Sequence, residues 1–303
     1  MTDFIKIELS DKIWVDTLLR QSNYRGAEYC FTNLFVWSSV YQTKICRKDN
    51  LLLIRSGKEA YPLDFFPAGS GEIKPMIDML LDTAKQEQRD FRMMVAGAEQ
   101  TALLQQLYPA LFTVIPARDS WDYIYKTEEL SALHGKRYQS KRNHIARFIE
   151  LPDWHYEQMT LQHIPECVQM NNIWCQLMGC ADNRSLYAET CAMEIALQNF
   201  EALGLEGALL RVSDKIVAYT IGEPINSDTY IVHAEKAFPD IRGAYPMINR
   251  EFIRDRASSF TYVNREDDAG DEGLRRAKNS YHPVFMQEKY FFAVSYNSLS
   301  LHR

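Results

Sequence analysis

The sequence predicts an α+β fold of two domains in tandem, each a mixed central sheet flanked by helices, with boundaries at 1–128 and 129–303. Three observations predict it. At 303 residues the chain exceeds what a typical single core organises. Its hydrophobic share of 46%, with 12% aromatic residues, is enough to fill two cores. Three β-prone runs followed by a helix and a further strand occur in the first half and again late in the second. No close sequence repeat underlies this likeness, so it rests on element order.

Residues 11–37 read as helical, with Trp14, Leu18 and Leu19 on one face. Three strand signals follow at 41–46, 51–55 and 60–65, separated by Lys48-Asp49-Asn50 and Ser56-Gly57-Lys58, which suit tight turns. Met76, Ile77, Leu80, Leu81 and Ala84 then recur at the spacing of an amphipathic helix. A strand at 91–95, a helix at 99–107 and β-prone residues at 112–115 and 121–125 complete the first half.

The second half opens with a basic segment holding Lys136, Arg137, Lys141, Arg142 and Arg147, with no acid between His134 and Phe148. Arg137, Lys141 and His144 fall at i, i+4 and i+7, one face of a helix. Clustered cations gain affinity for polyanions by releasing counterions. Lys136, Arg137, Lys141 and Arg142 are therefore candidates to contact transfer RNA or an anionic lipid surface, against the plainer reading of an exposed linking helix.

A strand at 154–159 leads to two helices, one with Cys167, Met170, Trp174 and Leu177 on a face, the other with Leu186, Met193, Leu197 and Phe200. Strands at 206–212, 216–222 and 229–236 come next, joined by connections short enough for hairpins. A helix over 244–257 precedes the chemically densest stretch, 262–290. There Tyr262-Val263-Asn264 is β-prone, acids (Asp268, Asp271, Glu272) precede bases (Arg275, Arg276, Lys278) as a helix dipole favours, and Pro283 stops the helix by biasing His282 away from helical geometry.

No apolar run reaches the roughly 18 residues that span a bilayer, and the opening residues lack a signal peptide's basic and apolar regions, so a cytoplasmic location is expected. The six cysteines form no Cys-x-x-Cys pair and read as buried free thiols, with neither disulfides nor zinc; no metal is expected. A net charge of -6 excludes a general nucleic-acid coat but leaves room for a local basic patch. Gly-x-Ser-x-Gly, Walker and His-Glu-x-x-His motifs are absent, which removes the common hydrolase and nucleotide-triphosphatase readings.

Ala277 and Tyr281, in an Ala-x-x-x-Tyr spacing after three strands and a helix, resemble the end of the N-acetyltransferase fold. The fuller set is similar to a narrower family: Lys141-Arg142-Asn143-His144, Gly222-Glu223-Pro224, Asn249-Arg250-Glu251-Phe252, Asn264-Arg265-Glu266, Gly270-Asp271-Glu272-Gly273-Leu274 and Ser280-Tyr281-His282-Pro283. These resemble bacterial proteins related to the C-terminal domain of phosphatidylglycerol lysyltransferases. The resemblance implies two acetyltransferase-like domains in tandem. It covers most of the chain and is strongest after about Gly135.

In acyl-transfer proteins of this fold the donor's pyrophosphate sits on backbone N–H groups at the start of the helix after the third hairpin strand, and helix N-termini attract anions on physical grounds alone. Here that position is Arg242, Gly243, Ala244 and Tyr245, although the usual second glycine is missing. The resemblance also offers aminoacyl-transfer RNA as donor, which would rely more on the basic segment than on the glycine. Acyl transfer needs a base and a leaving-group acid. Glu235 and His233 alternate on the third hairpin strand and so share a face, either being a candidate base, while a lone histidine on an apolar strand is more often a hydrogen-bonded core residue. The Ala-x-x-x-Tyr setting of Tyr281 resembles the position that holds the fold's leaving-group tyrosine, against the plainer reading of a capping tyrosine packed under the final strand. The expected function is an acyl or aminoacyl transfer from acyl-coenzyme A or aminoacyl-transfer RNA to an amine or hydroxyl on a small molecule or lipid, with no tightly bound cofactor. The alternative is a non-catalytic module holding a nucleic acid or anionic partner in a cleft between the domains.

Overall fold

The computed structural model describes residues 3–296. The chain forms two compact units: one takes the residues up to Asp122, Asp267–Glu272 and the chain from Met286 onward, the other Tyr123–Glu266 and Gly273–Phe285. The division thus falls at Asp122–Tyr123 where 128–129 was expected, and the end of the chain returns to the first unit.

In the first unit, β1 (Ile5–Lys6), α1 (Lys12–Ser22), α2 (Phe31–Val36) and α3 (Ser38–Tyr41) precede β2 (Lys44–Lys48), β3 (Leu51–Ser56), β4 (Leu63–Phe65) and β5 (Ala68–Gly69). The helical stretch over 11–37 is an entry helix, α1, and its partner α2, with Asn23 in a left-handed conformation closing α1. The β2–β3 turn has positive φ at both Asp49 and Asn50, which the twist of a two-residue hairpin favours. Next come α4 (Ile73–Gln86), β6 (Phe91–Ala96), α5 (Ala98–Leu107) and β7 (Thr113–Pro116). The apolar face of α4, with Ile77, Leu80, Leu81 and Ala84, packs on Phe91, Met93, Val95 and Phe292.

The second unit holds β8 (Asp122–Lys126), α6 (Thr127–Ala132), α7 (Gln139–Ile149), β9 (Trp154–Gln158), α8 (Ile164–Leu177), α9 (Arg184–Gln198), α10 (Phe200–Leu203), β10 (Glu206–Val212), β11 (Lys215–Pro224), β12 (Thr229–Ala237), α11 (Ala244–Arg256), β13 (Tyr262–Asn264) and α12 (Glu272–Asn279). The chain ends with β14 (Phe285–Gln287) and β15 (Lys289–Val294). One sheet runs β1-β2-β3-β4-β6-β15-β7 with β5 on β3, the other β14-β8-β13-β12-β11-β10-β9. Each is mixed, through the parallel pairs β4–β6 and β12–β13. This is the tandem acetyltransferase-like architecture, two mixed sheets flanked by helices.

Two expectations about strands are corrected. The strand near 121–125 does not close the first sheet but pairs with β13 in the second, and the chain's last strand lies between β6 and β7 in the first. Periodicity identifies a strand but carries no record of its partner. The thiols are corrected as well: Cys175 and Cys180 form a disulfide, their Cα atoms 5.3 Å apart, while Cys30, Cys46, Cys167 and Cys191 are not disulfide-bonded. Residues five apart lie on different sides of a continuous helix. Here α8 ends at Leu177 and Gly179 turns left-handed, which folds Cys180 back onto Cys175. The same ending leaves Leu177 60% exposed rather than on the buried face.

In the second sheet Ala208, Leu209 and Leu210 are consecutive and fully buried, as for a strand covered on both faces. Helix α11 lies over β10, β11 and β12, with Phe252 edge-on to Tyr230, and α8 packs on β11 and β12, where Asn171 accepts from the Tyr219 hydroxyl.

Candidate active site

Strands β12 and β13 pair in parallel only from Thr229–Tyr262 to Ile231–Asn264. Beyond that point β12 continues along β11 to Ala237, while the chain leaves β13 and turns through Glu266 at positive φ. The two strands part like the arms of a V. On β12 a bulge interrupts the ladder at the same place: Gly222 pairs with Val232 and Ile221 with Ala234, so His233 is the extra residue.

The bulge separates the two candidate bases. An inserted residue shifts the alternation of side chains by one, so His233 and Glu235 do not act as neighbours on one face. His233, its side chain 1% exposed, places Nδ1 2.9 Å from a Glu266 oxygen and Nε2 3.1 Å from a Glu223 oxygen. Glu235 keeps different company. One oxygen accepts from Asn249 Nδ2 of α11 at 2.7 Å, and the other pairs with Arg265 Nη2.

Arg265 ties this carboxylate to the tyrosine. Its guanidinium carbon lies 4.6 Å from the Tyr281 ring centroid and 5.6 Å from that of Tyr125. Lys141 from α7 stands over the same Tyr281 ring, Nζ 3.9 Å from its centroid, and donates to Ser280 Oγ at 2.6 Å. Lys278 Nζ donates to the Arg265 carbonyl at 2.6 Å. Burial first, and then Arg265, push the Lys141 amine down to about 8, with Glu235 opposing. Burial also raises the Tyr281 hydroxyl well above its ordinary value, against the pull of Arg265. A tyrosine so placed stays protonated at neutral pH and has two cations beside its ring.

The fold thus gathers Tyr281, Glu235 and Lys141 from three distant parts of the sequence and sets His233 in a separate hydrogen-bonded pair of glutamates. The basic segment does not form the single face its spacing suggests. Lys141 turns inward, Arg137 pairs with Glu129 at 2.5 Å, Arg142 donates to the carbonyls of Leu133 and Gly135, and Lys136 is exposed. Arg142 thereby closes the loop after α6.

At the start of α11, Gly243 has φ 88, and a Cβ there would lie 2.1 Å from the His144 carbonyl oxygen. The close approach that this glycine permits is made by α7. Arg242 is exposed, Ala244 is buried, and the Tyr245 hydroxyl accepts from Trp174 Nε1 at 3.1 Å. Beside them, Lys236 is buried 3.5 Å over the Trp174 ring and 2.5 Å from Glu189, a pair that nothing in the sequence pattern singles out. Sequence reasoning also missed Arg265 and Asn249. Both stand in the motifs quoted above, but a turn arginine and a helix asparagine have no signal of pairing until β12 lies between them.

Among solved structures, a conserved protein of unknown function from Bacteroides thetaiotaomicron is 38% identical, with a TM-score of 0.92 over 97% of this chain and 100% of that one. The C-terminal domain of a putative lysylphosphatidylglycerol synthetase from Agrobacterium fabrum is 13% identical, with a TM-score of 0.66 over 97% and 96% of the two chains. L-PGS from Bacillus licheniformis is 14% identical, with a TM-score of 0.64 over 95% and 93%. At those identities the last two attest the fold. The model of the family described as phosphatidylglycerol lysyltransferase, C-terminal, matches residues 19–293. With nearly its whole length matched, this chain belongs to the phosphatidylglycerol lysyltransferase C-terminal family.

Proposed function

We propose that the second unit transfers an aminoacyl group from aminoacyl-transfer RNA to a hydroxyl or amine acceptor, at the point where β12 and β13 part. The observation that carries this reading is the assembly of Tyr281, Arg265, Glu235 and Lys141 around that opening. Family and fold point the same way, since the family is named for lysyl transfer to phosphatidylglycerol.

The reaction breaks the ester between the aminoacyl carbonyl and a ribose oxygen and forms a new ester or amide. The leaving oxygen gains a proton and the nucleophile loses one. Tyr281 meets both needs as a relay: its hydroxyl protonates the leaving oxygen, and the nucleophile's proton restores it. Lys141 and Arg265 beside the ring lower the energy of the passing phenolate, since fixed charges aimed at developing charge are a strong source of rate enhancement. Glu235, with both oxygens engaged, is a positioning residue that holds Arg265 on the ring rather than a free base. Coenzyme A is the less favoured donor, because the glycine that would receive its pyrophosphate is explained by helix packing.

The test is to supply lysyl-transfer RNA carrying labelled lysine together with phosphatidylglycerol vesicles, and in parallel acetyl-coenzyme A with simple amines. Label should move into the lipid or into another hydroxyl or amine acceptor supplied beside it. Thermal stabilisation by coenzyme A, with no transfer from any of a set of aminoacyl-transfer RNAs, would reverse the donor assignment. Transfer RNA bound without turnover returns the chain to the class of binding modules.

A further inference from the structure

Lys141 and Arg265 bring two cations to the Tyr281 ring, and Glu235 pairs with Arg265. Arg265 donates to Glu235 through Nη2, while its Nε and Nη1 are buried and, the nearby Tyr281 hydroxyl aside, meet no acceptor. Asn249 is 1% exposed, donates to Glu235 through Nδ2, and leaves Oδ1 buried and unpartnered. A buried donor or acceptor left unmatched is costly and uncommon in native proteins. The two donors on the arginine that pairs with Glu235 mark a place for a further acceptor.

We infer that Lys141 and Arg265 form a binding site for a small oxyanion of the substrate, a carboxylate or a phosphate, seated beside the Tyr281 ring. Two cations over one tyrosine repel each other. An anion between them replaces that repulsion with attraction, accepts from the guanidinium edge that Glu235 leaves open, and needs no helix N-terminus. Arg137 is turned to Glu129 and Arg142 to loop carbonyls, while Lys141 stands over the Tyr281 ring and serves this site. The charged groups that act on Lys141 are Arg265 and Glu235. The inference rests on the cluster being the transfer site and says which part of donor or acceptor it grips there.

The experiment needs no turnover. Whole protein is titrated with acetate and, separately, with inorganic phosphate, against chloride at matched ionic strength, by calorimetry and by the chemical shifts of Tyr281 and Lys141. One of the two oxyanions should bind saturably, and which one binds more tightly separates a carboxylate from a phosphate. Lys141→Gln should weaken binding tenfold or more, Lys141→Arg should retain it, and Lys215→Gln, at the exposed start of β11 and no part of the cluster, should change nothing. With acetate, whose charge is constant there, affinity should fall about tenfold between pH 7 and pH 9, as Lys141 loses its proton through about 8. Absence of saturable binding by either anion, or binding that Lys141→Gln leaves intact while circular dichroism shows the variant folded, overturns the inference. Aminoacyl transfer that persists in that case would leave the proposed function standing. Oxyanion binding without aminoacyl transfer would do the reverse.

Discussion

At the scale of residues, Tyr281 is where the chemistry and the packing can be told apart. Tyr281→Phe removes one hydroxyl and keeps the ring between Lys141 and Arg265. If the hydroxyl relays a proton, turnover should fall by roughly 10² to 10⁴-fold, the usual contribution of a positioned acid. Melting temperature should fall by no more than one hydrogen bond's worth of stability, about 1 kcal/mol, because both cation contacts use the ring and the hydroxyl adds only its bond to Arg265. Lys141 offers a second test, through stability. Its folded-state pKa of about 8 lies below its ordinary 10.5, so the native state holds its proton less tightly than the unfolded chain. The charged amine therefore opposes folding at neutral pH, and that cost is relieved as pH rises through 8 and on to 10.5. Lys141→Met should accordingly be more stable than the parent at pH 7, with the difference shrinking toward pH 10.5, as urea unfolding at several pH values would show. An unchanged gap would mean that Lys141 is not strained in the fold. Tyr281 could be picked from its Ala-x-x-x-Tyr setting. Arg265 could not, because an arginine after a strand reads as solvent-facing until two tyrosines are known to stack on it.

At the scale of elements, the start of α11 decides between two uses of one glycine. Its positive φ and the His144 carbonyl oxygen together leave no room for a side chain. Gly243→Ala should lower stability by at least about 1–3 kcal/mol from backbone strain alone, with more from the contact against α7, measured as a shift in the urea midpoint. Loss of donor binding with stability intact would instead favour a phosphate seat at Arg242 to Tyr245. The bulge at His233 makes a related point. Strands 206–212 and 229–236 were readable from the sequence nearly to the residue, yet the inserted residue in the β11–β12 ladder breaks the alternation on which the pairing of His233 with Glu235 depended. Bulges depend on how two strands register against each other, and one strand's pattern does not contain that.

At the scale of the whole molecule, cysteine chemistry gives a direct count. Titration of the denatured, unreduced protein should find the four thiols outside the disulfide, Cys30, Cys46, Cys167 and Cys191, and reduction should release the pair at Cys175 and Cys180. Six thiols without reductant would return those two to the buried free state that their sequence setting suggested. The chain's course between sheets belongs to this scale too. The strand at 122–126 serves the second sheet and that at 289–294 the first, so neither sheet is made from one continuous half of the sequence.

By itself the sequence determined the local order: amphipathic spacing set α4, tight-turn residues set the hairpins, and acid-before-base composition with Pro283 set the last helix and its end. Motif resemblance added the fold and the family, because several short runs that match together over most of a chain are hard to meet by chance. The tertiary structure decided what meets what. Lys141 left an apparently solvated basic face for the Tyr281 ring, Glu235 lost its freedom to Arg265 and Asn249, Gly243 was taken up by α7, and two cysteines closed on each other once a helix ended. Each depends on groups far apart in the chain, or on where an element stops, and such long-range pairing is fixed by packing and register, which a single strand or helix does not encode.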